Sequence, residues 1–205
     1  MKSIHRFVLY LQLLLSSLVV AEEAVGSDWK RLPPPGLKVG DLVFRKGRGM
    51  WTRYFIRAST RDPRFSHVGI VVRTTPPALI LHSDGNDLTG VGKVRTEEWE
   101  AFFEIASECA VYRYDGAEET ARAFASHGLR RLGVTFDSSF DMSSTNALYC
   151  TELIREVVNE AAGTNVIGFT VLKGRRIIAL DDIYHKGFRK VFDSSNGRRR
   201  PGRRQ

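Results

Sequence analysis

Apolar residues recur along this chain at two different periods. Short runs rich in β-branched residues occur at "DLVF" (41–44), "SHVGIVVR" (66–73), "LILHSD" (79–84) and "CAVYRY" (109–114). Runs of this length and composition read as strands. The prolines of "TTPPA" cannot continue a ladder, so the second and third runs predict a hairpin about that turn. "RRIIAL" and "FRKVF" predict two short closing strands.

Elsewhere the period is that of a helix. Met50, Trp51, Tyr54 and Phe55 predict a short amphipathic helix over 49–59, and "TEEWEAFFEIA" predicts another. Ala121, Phe124, Ala125, Leu129 and Leu132 share one face of a third, with Asp115 and Glu118 as a capping-box start and Gly133 as its stop. Leu153, Ile154, Val157, Val158 and Ala161 make the apolar face of "LYCTELIREVVNEAAG", which ends at Gly163. "GNDLTGVG" and "VTFDSSFDMSSTNA" read as loops. No repeat and no second composition block appears, so the pattern predicts one α+β domain over 39–193.

The ends read differently. Lys2 and Arg6 precede the uncharged run "FVLYLQLLLSSLVV", which reaches small residues at Ala21 before the acidic "EEA". A basic start, a short apolar core and a small-residue site predict a signal peptide over 1–21. The run is shorter than the roughly 20 residues that span a bilayer, so cleavage is expected in place of anchoring. No cysteine near it suggests a lipid anchor. The expectation is an exported protein, periplasmic or extracellular after cleavage near Ala21. Residues 22–38, with three successive prolines, read as an extended lead-in, and 194–205 as a basic disordered tail.

Charge changes this picture less than it first suggests. Of 31 basic residues, two lie in the leader and five in "NGRRRPGRRQ", leaving 24 against 23 acidic ones in the folded part. A specific nucleic-acid partner is therefore not expected. The arginine tail could touch an anionic surface, or simply be solvated.

Chemistry concentrates at a few positions. Cys150 falls where a polar loop gives way to a helix. A thiol in a first turn meets unpaired N–H groups and the positive end of the helix dipole, so its pKa is expected below the usual value of about 8.5. A small buried residue that packs like a hydrophobe would fit there equally well. His67 begins a strand and shares a face with Gly69, whose missing side chain leaves room for an approach. Pairing the hairpin about its turn puts position 67 opposite 82–84, so His82 or Asp84 can stand beside His67. An imidazole backed by a second polar group is the arrangement that fixes a tautomer. Asp137 could line the site or cap its loop. His127 and His185 read as surface residues, and Cys109 as a core residue or the partner of Cys150 in a disulfide. No spacing for a metal and no phosphate-binding glycine loop is present, so no cofactor is expected.

"GDLVFR", "FSHVGIVV" and "LYCTELI", in that order, resemble the YiiX/YebB-like branch of the NlpC-type papain-like cysteine hydrolases. "GVTFDSSF" is similar to a loop of the same branch. The resemblance implies a circularly permuted papain-like fold, an antiparallel sheet packed against helices, with the nucleophile at a helix N-terminus. It implies Cys150 as nucleophile, His67 as base and His82 at the third position. That position commonly holds an acid in this branch; a histidine there is similar to the lecithin retinol acyltransferase-like relatives. The implied function is peptidase- or amidase-type acyl transfer on a peptide or cell-wall peptide. The alternatives are an acyl-lipid substrate, or a non-catalytic binding module.

Overall fold

The computed structural model describes residues 28–140, 142–143 and 146–196. The signal-peptide reading and all but the first three residues of the arginine tail lie outside the described residues. Six strands form one antiparallel sheet: β1 (Leu42–Lys46), β2 (His67–Arg73), β3 (Leu79–Gly85), β4 (Gly92–Glu98), β5 (Glu108–Tyr114) and β8 (Phe188–Asp193), in the order β4-β3-β2-β1-β5-β8. The helices are α1 (Met50–Ala58), α2 (Trp99–Phe103), α3 (Glu118–Leu129), α4 (Cys150–Ala162) and α5 (Leu180–Tyr184). β6 (Thr170–Leu172) and β7 (Arg175–Ile177) make a separate small hairpin.

Alternation along each strand sorts side chains onto two faces. Phe44, Val68, Ile70 and Leu81 meet α3 and α4 through Phe124, Leu153, Ile154 and Val157. Val43, Val71, Ile80 and Val111 meet Trp29, Trp99, Phe102 and Phe103 on the other side. The predicted hairpin is present, with Ile70 opposite Leu81 and Val71 opposite Ile80. Gly69 serves the close approach expected of it, and what approaches is the neighbouring strand. A side chain there would collide with Ile80 and crowd the Cβ of His82.

Three elements depart from the sequence pattern. "GKVRTEE" forms β4, so the helix expected from Thr96 begins only at Trp99. Seven pairings with β3 override the helical preference of its glutamates. The strand expected over "RRIIAL" ends at Ile177, and Ala179 then starts α5, where the Asp182 carboxylate accepts the Ala179 N–H at 3.0 Å. α3 starts at Glu118 after Ala117, without the Asp115 cap. Gly163 ends α4 in the left-handed conformation its position suggested.

Candidate active site

The start of α4 is tied down from two directions. The Ser83 hydroxyl on β3 donates to the Leu148 carbonyl at 2.5 Å. The Ile178 N–H donates to the Tyr149 hydroxyl at 3.1 Å, and the Thr151 hydroxyl donates to the Ile178 carbonyl at 2.7 Å. Tyr149 itself is extended, so the chain turns sharply into the helix at Cys150. These tethers fix Cys150 against the beginning of β2, where the backbone N–H groups of Val68 and Thr151 face its sulfur.

His67 stands one residue before Val68 and points toward the other face, where it contacts the Phe102 ring. Its Nε2 lies 2.9 Å from His82 Nδ1. The ring centroids are 5.1 Å apart and the planes perpendicular, so the rings meet nearly nitrogen to nitrogen. Between the two alternatives left open by the hairpin register, it is His82 that contacts His67. Asp84 is held instead by Arg45 at 3.7 Å and Arg95 at 3.5 Å.

Behind His82 stands a carboxylate that the sequence pattern missed. His82 Nε2 lies 3.3 Å from Glu97 Oε2, a close electrostatic contact off the axis of an ideal hydrogen bond. The nearby His82 and Arg95 hold the Glu97 carboxyl down at about 2, so it is ionised at neutral pH. Burial lowers the pKa of His82 and pushes that of His67 well down, with Arg45 adding to both. Both rings are therefore neutral. A neutral His82 facing an anion keeps its proton on Nε2, so its Nδ1 accepts from His67 Nε2–H. That tautomer leaves His67 Nδ1 as a free lone pair.

The thiol does not behave as its helix position suggested. Burial pushes Cys150 up to about 12, with the Asp84 charge adding to the rise. The N–H groups of Val68 and Thr151 and the Arg45 charge pull the other way and lose. Desolvation of a side chain only 2% exposed outweighs the helix terminus. Cys150 and His67 thus rest as a neutral thiol and a neutral imidazole. Both line one open cleft of about 360 Å³, with Asp84 and Arg45 on its polar side and Trp51, Phe55 and Phe136 on its apolar side.

The remaining candidates stand elsewhere. Asp137 accepts the Ser139 N–H at 2.8 Å and the Ser139 hydroxyl at 2.5 Å, the loop-capping role. His127 pairs with Glu160 at 2.8 Å between α3 and α4. His185 closes α5. Cys109 is a free thiol packed on the face opposite Cys150, so the disulfide left open by the sequence is not formed. No helix among the described residues is long and apolar enough to cross a membrane.

The family described as permuted papain-like amidase enzyme, YaeF/YiiX, C92 family matches residues 36–185. A solved structure described as the crystal structure of metalloprotein yiiX from Escherichia coli O157:H7 is similar in fold. It has 18% identity and a TM-score of 0.63, covering 76% of this chain and 96% of that one. A search of curated proteins finds no match. The match over most of the described domain and the shared architecture place this chain in the permuted papain-like amidase family.

Proposed function

We propose that the protein is an exported cysteine hydrolase in which Cys150 attacks an acyl carbon and His67 Nδ1 takes the thiol proton. The observation that carries this reading is the chain of contacts Glu97–His82–His67 ending at the cleft that also holds Cys150. Each partner fixes the proton position on the next, which leaves a base of defined tautomer on the cleft that the thiol also lines.

Because thiol and imidazole rest neutral, activation is general-base catalysis in step with attack, not a preformed ion pair. The sulfur bonds to the acyl carbon while its proton passes to His67. The Cys150 N–H at the helix start donates to the oxyanion. The imidazolium returns its proton to the leaving amine, and water then releases the acyl group from the thioester. His67⁺ is stabilised by sharing its Nε2–H with His82, whose far side faces Glu97. The family favours an amide bond, hence a peptide or cell-wall peptide. The histidine at the third position favours the second reading, an acyl-lipid or ester donor.

The similar crystal structure is described as that of a metalloprotein. Here the donor atoms of His67, His82 and Asp84 lie within 4.8 Å of one another. They do not fit a cation as arranged: the two facing nitrogens are spent on each other, and Arg45 and Arg95 already neutralise Asp84.

The test is turnover of an amide panel and an acyl-ester panel by the wild type and Cys150→Ser. Turnover lost in a variant with unchanged circular dichroism supports the reading; retained turnover refutes it.

A further inference from the structure

Exposed apolar side chains are carried by the segments that border the cleft. Ten large apolar side chains are exposed among the described residues, and four of them, Met50, Leu88, Val91 and Ile105, belong to the segments that border this cleft. Leu88 is 90% exposed, Val91 75%, Met50 57% and Ile105 49%. Ile105 lines the cleft directly. The loop carrying Leu88 and Val91 is fastened to the start of α1, since Asp87 accepts the Met50 N–H at 3.0 Å. Asn86 holds the loop's shape by accepting the N–H groups of Leu88 and Thr89. Val91 borders a groove that continues the cleft past Asp84, Gly85 and Asn86 to Lys93 and Arg95.

Cations are interleaved with these side chains. Arg48 and Arg53 are exposed on the α1 side and Lys93 on the β4 side. Of the acids nearby, Asp84 is paired with Arg45 and Arg95, and Asp87 accepts one α1 N–H and keeps its charge, so the three cations outnumber it. Exposed aliphatic tips with free cations between them suit one kind of surface, a layer of anionic headgroups over acyl chains.

We propose that this rim seats the protein on an anionic lipid bilayer, so that the cleft opens onto the membrane and receives an acyl group presented there. The seating residues lie within 48–105 of the sequence, outside the arginine tail and the leader expected from the sequence. The substrate class rests on Cys150 working in this cleft, whereas the seating itself does not.

The experiment therefore reads binding in a chain that cannot turn over. The full chain carrying Cys150→Ser receives one environment-sensitive fluorophore, at Leu88→Cys or at Val191→Cys on the far sheet edge; Cys109 is buried and unlabelled. Vesicles of phosphatidylcholine with phosphatidylglycerol should blue-shift the label at 88 and leave the label at 191 unchanged. Reversing Arg48, Arg53 and Lys93 to Glu should weaken the shift at 88 by roughly tenfold or more in vesicle concentration. A label at 88 that stays aqueous overturns the proposal. So do equal shifts at 88 and 191, which would mean attachment through another part of the chain, and an equal shift on phosphatidylcholine alone. Loss of the seating would leave Cys150 chemistry on soluble substrates intact, so the two readings fail separately.

Discussion

Two buried thiols lie on opposite faces of one sheet. Cys109 is fully buried near the start of β5, packed with the aromatic cluster and close to Asp193, with its backbone N–H donating to Ser194 at 2.9 Å. Cys150 is just as buried, at the start of α4. Burial raises both pKa values, and for Cys109 the Asp193 charge adds to the rise. Burial therefore does not distinguish a structural thiol from a reactive one. What differs is what faces the sulfur. Around Cys150 there are backbone N–H donors and an open cleft that His67 also lines, whereas Cys109 has a carboxylate nearby.

The sharpest way to break this comparison is to exchange the thiols one at a time. Cys150→Ser should lower turnover by about a thousandfold or more, measured as initial rate on the best substrate. Cys109→Ala should leave turnover within about twofold and cost about 1 kcal/mol in urea unfolding. Equal losses would erase the distinction.

Removing the base comes next. His67→Gln should reduce kcat by roughly 100- to 10,000-fold with little change in KM. A loss confined to KM would make His67 a binding residue.

His82 and Glu97 act through His67, so their effects are smaller. His82→Gln should cost about 10- to 100-fold in kcat and Glu97→Gln about tenfold. Glu97→Gln should also alter the pH profile, since the tautomer of His82 would no longer be fixed by an anion. An unchanged profile would reduce Glu97 to a structural role.

The smallest effect is on stability. His67 and His82 have folded pKa values below their unfolded value of about 6.5. The unfolded chain then binds protons the native state refuses. Their contribution is intact above that pH, and stability falls as pH drops through it. Glu97 is depressed to about 2, so its contribution is present above about 4.5 and is lost only as pH falls toward 2. Urea midpoints of the wild type should decline from pH 7 to 5, and those of the His67→Gln/His82→Gln double variant should decline less. Parallel decline would place the acid sensitivity elsewhere.

Much of this site was legible in the chain. The strand–turn–strand of "SHVGIVVRTTPPALILHSD" sets a register from its prolines and apolar runs, and that register brings His67 near both His82 and Asp84 without choosing between them. The apolar stripe after "LYC" puts Cys150 at a helix start. Glu97 was hidden because "TEEWEAFF" carries helical spacing and helix-favouring glutamates; only pairing with β3, a long-range effect, makes it a strand. The direction of the Cys150 shift was hidden for a similar reason. A helix terminus is visible in sequence, but desolvation depends on what Trp51, Phe55 and Phe136 enclose. The rim was hidden too, because Met50, Leu88, Val91 and Ile105 come from three separate segments.

The central claim is that of two equally buried thiols only the one served by His67 accepts an acyl group. Incubating the reduced protein with an activated acyl ester, quenching early and mapping the label by mass spectrometry tests it directly. The account predicts acyl label on Cys150 alone, with its rate largely lost in His67→Gln. Label on Cys109, or a Cys150 rate unchanged in His67→Gln, would contradict it.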